Sequence, residues 1–376
     1  MSAILELTQE IGNFEFTLSI FKALRAKIEH TYGIKNRIGR SFDGGFKGVL
    51  AVGQAGCGKT KTLKSIFNGL ELNKTDYHGN PLGVWVPSGI STGVGLFELL
   101  TQNNSAVIVI DELDANTALH VNVLKQIASG AICRMKHREI DPTPFSGVLI
   151  GATNGIPFKK KNIDHLVAML ERFTIVHMRG KSNLDYYVTD DNYKKELPDS
   201  VWKTIADCLL NNCAVDLTEE EHDFGRSLFE EKARENLDAS KTLYRQANDV
   251  MDILLFLKRF CQVDTVLDGG LIESVAKTLV NNTIHVNPSK LICMDPVERS
   301  VYDFVDCSED HATSFTKIVE FCENNGFMVD IRTIRKILNR MVIVRILNKY
   351  NGDIFTTRSK ANVISNVGVM ASALNG

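Results

Sequence analysis

The sequence predicts an α/β protein with a parallel-sheet core, a helical region after the core, and a small C-terminal unit of helices and a hairpin. Residues 53–60 read G-x-x-x-x-G-K-T between an apolar run and a helical pattern, which is typical of a strand–loop–helix unit. Residues 106–110 form an unbroken apolar run, and residues 147–154 form a second apolar segment that ends in polar residues. Such segments are expected for strands buried on both faces of a parallel sheet.

A helical prefix precedes this core. Residues 11–30 carry apolar side chains at helical spacing and predict an amphipathic helix. Residues 34–40 form a basic connector to the core. We expect this prefix, residues 1–45, to pack on the sheet or on a neighbouring subunit.

Residues 53–60 match the pattern of a phosphate-binding loop. The backbone N–H groups and the following helix N-terminus would surround phosphates, Lys59 would contact phosphate oxygens, and Thr60 would ligate Mg²⁺. A glycine-rich turn without a ligand is the alternative, and the strand before the loop and the helix over 60–70 count against it. The predicted nucleotide-binding residues here are Gly53, Gln54, Ala55, Gly56, Cys57, Gly58, Lys59, Thr60 and Thr62.

Two carboxylates follow the apolar run 106–110. A carboxylate at the C-terminal end of a parallel strand lies beside a phosphate loop in such sheets. We therefore expect Asp111 to hold the Mg²⁺ shell and Glu112 to polarise the attacking water. The alternative is an acid pair that caps the helix starting near Asn116.

Asn154 ends the next predicted strand and is expected to orient the lytic water or contact the γ-phosphate. A turn role is the alternative, because Asn-Gly is also a turn signal. A helix over 164–170 and a strand over 174–178 are predicted next. Arg172, between them, is expected to complete the site of a neighbouring subunit as an arginine finger.

The order of phosphate loop, Asp-Glu strand, Thr-Asn strand and Arg-Phe junction resembles the AAA+ ATPases over roughly residues 45 to 180. The resemblance implies ATP hydrolysis with ATP and Mg²⁺ as cofactors, a helical lid, and a homo-oligomeric ring, with a hexamer favoured. Thr218 and Glu221 are spaced as a capping box for a lid helix. Arg245, at the start of a later helix, matches the arginine through which such lids contact the nucleotide.

A basic hairpin is predicted between the Asp-Glu and Thr-Asn strands. It contains Lys136, His137 and Arg138, and it resembles the pre-sensor hairpin of superfamily-three viral helicases and branch-migration motors. In a ring, such hairpins face the central pore, where these side chains would contact DNA phosphates. A solvated edge hairpin with ordinary surface charge is the alternative.

The C-terminal segment resembles a winged helix. The sequence predicts helices up to Cys307, over 314–324 and over 331–341, then strands over 342–347 and 354–357. Such a fold would place Arg332, Arg335 and Lys336 in a major groove, with Lys349, Arg358 and Lys360 at the DNA backbone. Protein docking is the alternative, because the basic residues of the third helix spread over several faces.

Composition restricts the remaining choices. The formal net charge is −2, so any nucleic-acid contact must come from local basic patches. The eight cysteines include no C-x-x-C pair, which favours reduced thiols and argues against structural zinc. Neither a membrane span nor a signal peptide is expected, and the predicted location is the cytoplasm, or the host cytoplasm for a viral protein.

The expected organisation is a prefix (1–45), an AAA+ core (46–180), a helical lid (181–285) and a winged helix (295–360). The expected function is an ATP-driven ring motor or initiator that acts on DNA, of replicative helicase or helicase-loading type. A protein-remodelling AAA+ chaperone is the rival, although the loop at 88–95 lacks the aromatic residue that remodellers use. A non-enzymatic binding module fits poorly with the intact phosphate loop.

Overall fold

The computed structural model describes residues 3–33, 45–53, 56–86, 93–113, 118–136, 139–154, 168–178, 197–211, 215–234, 243–285, 296–327, 329–343, 347–350 and 353–357. No helix in these ranges is both long and apolar enough to cross a membrane.

The strands are β1 (Gly48–Val52), β2 (Gly83–Val86), β3 (Val107–Ile110), β4 (Ala131–Lys136), β5 (Glu139–Pro144), β6 (Val148–Thr153), β7 (Phe173–His177), β8 (Ala312–Ser314), β9 (Asn348–Tyr350) and β10 (Ile354–Thr356). The helices are α1 (Ala3–Ile11), α2 (Phe14–Thr31), α3 (Lys59–Gly69), α4 (Gly93–Gln102), α5 (Ala118–Ile127), α6 (Asp199–Leu210), α7 (Glu219–Arg234), α8 (Leu243–Phe260), α9 (Leu271–Thr283), α10 (Pro296–Cys307), α11 (Phe315–Asn324) and α12 (Ile331–Ile343).

A five-stranded parallel sheet with the order β2-β3-β6-β1-β7 forms the core. Every residue of β1, β3 and β6 is buried, because core clusters cover both faces of the sheet. Alternate residues of β1 belong to different clusters: Val49 packs in the cluster that contains α2, and Leu50 packs in the cluster that contains α4 and α5. The predicted α/β class and parallel core are confirmed.

The register brings the C-terminal ends of the central strands to one edge of the sheet. Val52, the last residue of β1, pairs with Thr153 of β6 and His177 of β7. Ile110, the last residue of β3, pairs with Gly151 of β6. The polar segments that follow these strands therefore meet at this edge, where open α/β sheets bind ligands.

The prefix consists of two helices rather than the single helix predicted over 11–30. The break lies at Gly12 and Asn13, whose φ angles are 89° and 46°. Left-handed backbone cannot continue an α-helix, which explains why α1 ends and α2 begins there. The predicted basic connector at 34–40 lies outside the described residues.

Helix α2 is buried between the sheet and later helices, and it carries charged side chains into the interior. Glu29, only 2% exposed, accepts from Arg25 Nε at 2.8 Å and from Arg259 Nη1 of α8 at 2.9 Å. Arg25 Nη1 also donates to Leu209 O of α6 at 2.7 Å. Lys47, just before β1, forms a further ion pair with Asp249 of α8. These contacts join the prefix, the core and the later helices.

The predicted capping box is confirmed at the start of α7. Thr218 N donates to Glu221 Oε2 at 2.8 Å, and Glu221 N donates to Thr218 Oγ1 at 3.3 Å. The buried Glu221 carboxylate also accepts from Lys258 Nζ at 2.7 Å and from Val266 N at 2.8 Å. One side chain thus joins α7, α8 and the loop before α9.

Helix α6 lies in the region 181–215, at the beginning of the predicted lid. It packs against α1 and α2. Its buried Trp202 also lies against Gly69 at the end of α3, where a Cβ would approach the indole to 2.1 Å. A side chain at position 69 would therefore displace the tryptophan.

The C-terminal unit has the order α10, β8, α11, α12, β9, β10. Its strands form an antiparallel sheet in the order β8-β10-β9, with Phe355 of β10 paired to Thr313 and Lys349. The buried face of α12, with Ile334, Leu338 and Met341, packs in the same cluster as residues of α10 and α11.

The strand predicted over 342–347 is wrong. Helix α12 continues to Ile343, because Met341 extends the buried helical face begun by Ile334 and Leu338. The strand begins only at Asn348. The short strand β8 was not predicted, and the helix after β2 begins at Gly93, inside the segment read as the loop 88–95.

Candidate nucleotide site

The phosphate loop connects the end of β1 to the start of α3. Gly58, the N-cap of α3, has φ 88°, a conformation in which a residue with a side chain is strained. A Cβ at Gly53 would lie 2.5 Å from Met178 O, so the loop also passes close to the chain after β7. Gln54 and Ala55 lie outside the described residues.

Lys59 is buried at the mouth of this loop. Its Nζ donates to Gly53 O at 2.5 Å and to Asn154 Oδ1 at 3.0 Å, and it lies 3.5 Å from Cys57 Sγ. The ammonium group is thus held between the loop and the end of β6. A phosphate oxygen placed there would meet a positioned positive charge.

Thr60 and Asp111 form the second element of the site. Thr60 Oγ1 donates to Asp111 Oδ1 at 2.6 Å. A hydroxyl and a carboxylate at this separation supply the oxygen ligands that Mg²⁺ prefers. Glu112 is exposed beside them and makes no hydrogen bond to a described residue. Its carboxylate is open to solvent, as a residue that must contact a water molecule requires.

One cavity of about 1040 Å³ joins these groups. Its walls include Lys59, Thr60, Asp111, Glu112 and Asn154. The donors fit a nucleotide with Mg²⁺: a lysine, the loop and a helix N-terminus for phosphates, and a hydroxyl–carboxylate pair for the cation. The sequence-predicted residues from three strands therefore meet in one space.

Residues 49–179 match the family model described as ATPase family associated with various cellular activities (AAA). This segment is an AAA ATPase domain. The match supports nucleotide binding and ATPase activity, and AAA domains commonly assemble into rings. No curated protein matches the chain.

Arg172 of the AAA domain lies immediately before β7 and does not line the phosphate cavity. Its Nη1 donates to Ala168 O at 2.6 Å. The side chain lines a separate cavity of about 280 Å³ with residues of α5 such as Lys125 and Gln126. Its expected action on a neighbouring subunit stays a prediction.

The hairpin predicted before β6 is confirmed as a structure. Strands β4 and β5 pair antiparallel from Ala131 with Pro144 to Lys136 with Glu139. His137 and Arg138 lie outside the described residues, as does the side chain of Lys136.

Arg245 lies in the first turn of α8, and its side chain is outside the described residues. Gln246, the next residue, is buried and donates from Nε2 to His285 O at 2.7 Å. His285 in turn contacts Ile175 O of β7 at 3.0 Å. The start of α8 is thus fixed to the sheet edge strand, but nucleotide contact by Arg245 stays a prediction.

The basic residues of α12 are in different environments. The Arg335 guanidinium lies 4.2 Å from the Phe315 ring centre and 3.3 Å from Asp353 Oδ2, so it is engaged within the C-terminal unit. Arg332 and Lys336 are exposed on the same helix. Of the three residues on α12 that are predicted to contact DNA, these two are the more available.

Sequence reasoning missed Asn13, which lies 49 positions before Thr62, the residue of the site that it contacts. Its Nδ2 donates to Thr62 Oγ1 at 2.8 Å and lies 3.4 Å from Gly58 O. The Gly-Asn dipeptide at 12–13 is a helix-breaking signal that could have marked the position. No local pattern indicates that this break lies against the phosphate loop.

Proposed function

We propose that this chain is an ATP-driven ring motor or initiator that acts on DNA. The proposal is supported by the presence of two units in one chain, the AAA domain and the C-terminal unit. An AAA domain retains Lys59, Thr60, Asp111 and Glu112 around one cavity, and the C-terminal unit has the order helix, strand, helix, helix, strand, strand. That order, with an antiparallel sheet, supports our proposal that this unit is a winged helix.

Each site residue has a defined part in ATP hydrolysis. Lys59 would neutralise phosphate charge, and Thr60 with Asp111 would hold Mg²⁺, which supplies electrostatic stabilisation when bound. Glu112 would accept a proton from the attacking water. Asn154, already 3.0 Å from Lys59, would orient that water or the terminal phosphate.

The C-terminal unit would hold duplex DNA through α12. Arg332 and Lys336 would contact phosphates or base edges, whereas Arg335 supports the unit through Phe315 and Asp353. The hairpin β4–β5, to which the basic residues Lys136, His137 and Arg138 belong in the sequence, would act at a different stage. In a ring, these side chains would contact DNA in the pore during the ATPase cycle.

Protein remodelling is the second candidate. The observation in its favour is that the exposed Asp303 and the partly exposed Asp306 lie on α10 of the C-terminal unit, which is followed by the exposed Glu309. Acidic side chains oppose DNA binding and suit a protein partner. The two candidates differ in what a salt titration of DNA binding should show.

Fluorescence anisotropy with labelled duplex DNA tests the proposal. Replacing Arg332 and Lys336 together by alanine should weaken binding and lower the slope of log K against log salt by about 2, since each phosphate contact contributes about 0.9. Lys317→Ala, an exposed lysine on α11, is the matched control and should change the slope little. Wild-type protein that does not bind DNA at low salt would overturn the DNA assignment and favour remodelling.

A further inference from the structure

Asn13 connects the helical prefix to the phosphate loop. Its amide donates to Thr62 Oγ1 at 2.8 Å and lies 3.4 Å from Gly58 O. These two partners flank Lys59 and Thr60 on either side in the chain. The amide therefore restrains the segment that presents both predicted phosphate and cation ligands.

The backbone at Asn13 makes its amide available to the loop. Asn13 lies just before α2 with φ 46° and ψ 58°, and its side chain does not cap that helix. Asparagine tolerates this left-handed conformation better than most residues do. A Cβ at Gly58 would lie 2.9 Å from Asn13 Nδ2, so the glycine leaves room for the contact.

The first turn of α2 also contacts α9, a helix of the predicted lid. Asn282 Nδ2 of α9 donates to Glu15 Oε1 at 3.2 Å, and Glu15 lies two residues after Asn13. Further along α2, Glu29 is paired with the buried Arg259 of α8. Helix α2 is therefore attached to two lid helices, α8 and α9, while its first residues contact the phosphate loop.

We propose that residues 12–15, which we name the elbow, couple the lid to the phosphate loop, with Asn13 as the positioning residue. The proposal rests on the ATPase function proposed above and adds a regulatory link to the same site. A lid movement that displaces α2 would change the Asn13–Thr62 contact. Because coupling is reciprocal, nucleotide bound at the loop would also stabilise the lid contacts of the elbow.

Hydrogen exchange on the full-length chain tests the link, with and without a non-hydrolysable ATP analogue and Mg²⁺. In wild-type protein the analogue should slow exchange both in the phosphate loop and in α9. Asn13→Gly keeps the left-handed backbone and removes the amide. It should weaken analogue binding about fivefold, in line with one hydrogen bond, and at saturation it should retain protection of the loop but lose that of α9.

Gln262→Gly is the matched control, because Gln262 also has positive φ, at 53°, at the other end of α8. It should leave both protection patterns as in wild type. Thr62→Val removes the acceptor and carries the test if Asn13→Gly fails to fold. The double variant should lose no more coupling than either single one.

The outcomes separate this inference from the proposed function. A wild-type chain that fails to bind the analogue overturns both. Binding with equal protection of α9 in wild type and Asn13→Gly overturns the elbow link and leaves the ATPase assignment standing. Loss of α9 protection in Asn13→Gly but not in Gln262→Gly supports the link.

Discussion

Replacing Glu29 by leucine should destabilise the fold strongly. Glu29 is 2% exposed and lies between two guanidinium groups that are fully buried, at 2.8 Å from Arg25 and 2.9 Å from Arg259. Leucine would leave both cations without this carboxylate in the interior. Breaking a buried pair from one side costs about 3–5 kcal/mol.

Part of that cost is offset by other contacts. Arg25 retains Leu209 O at 2.7 Å, and Arg259 retains Val215 O at 2.9 Å and the largely exposed Asp216 at 3.1 Å. We therefore expect a loss near the lower limit, about 3 kcal/mol. Glu29→Gln keeps the shape and acceptor oxygen, so it should cost less.

Urea unfolding followed by tryptophan fluorescence measures this loss. Trp202 reports on the packing of α6, which Arg25 joins to α2. The matched control is Glu273→Gln, which breaks the more exposed i,i+4 pair with Lys277 and should cost under about 0.5 kcal/mol. If Glu29→Leu costs no more than the Glu273 variant, the buried network does not hold α2 to α8.

Three further predictions follow from the site and its surroundings. Lys59→Ala should lose nucleotide affinity, whereas Glu112→Gln should bind ATP and hydrolyse it at least about a hundredfold more slowly, as binding and turnover assays will show. Arg172→Ala subunits mixed with Lys59→Ala subunits should regain part of the ATPase activity that each lacks alone; no recovery in a demonstrably mixed ring argues for a role within one subunit. Burial lowers the pKa of His285 from 6.5 to about 4, so the neutral side chain contributes fully to stability above pH 6.5, and this contribution falls by about 3 kcal/mol towards pH 4. His285→Gln should therefore make the free energy of unfolding depend less on pH between 6.5 and 4. Acid unfolding of the two proteins measures this difference, and identical pH profiles would contradict the prediction.

The phosphate site could be predicted from sequence because local spacing carries it. The loop is contiguous, and the register of a parallel sheet then brings Asp111 to Thr60 across 51 positions. The capping box of Thr218 and Glu221 was predictable for the same reason, since its members are three residues apart.

The elbow and the buried charges could not be predicted in this way. Asn13 and Thr62 are 49 positions apart, and Glu29 and Arg259 are 230 apart. Neither contact follows from helix or strand periodicity. Patterns of burial also do not reveal them, because charged residues on an amphipathic helix are expected to be exposed.

Ambiguous apolar runs explain the error at the C-terminus. The run at 342–344 is short and β-branched, which favours a strand by composition. Val342 and Ile343 are helical instead, because the buried face that contains Leu338 and Met341 extends α12 to this point. The helix therefore uses residues that propensity alone assigns to a sheet.

The central claim is tested most directly by the steady-state rate of ATP hydrolysis, measured as duplex DNA is added. We expect hydrolysis by the wild-type chain that rises with DNA, and hydrolysis at least about a hundredfold slower in Glu112→Gln at every DNA concentration. A rate in Glu112→Gln equal to that of the wild type, or a wild-type rate that DNA leaves unchanged in a chain able to assemble, would contradict this claim.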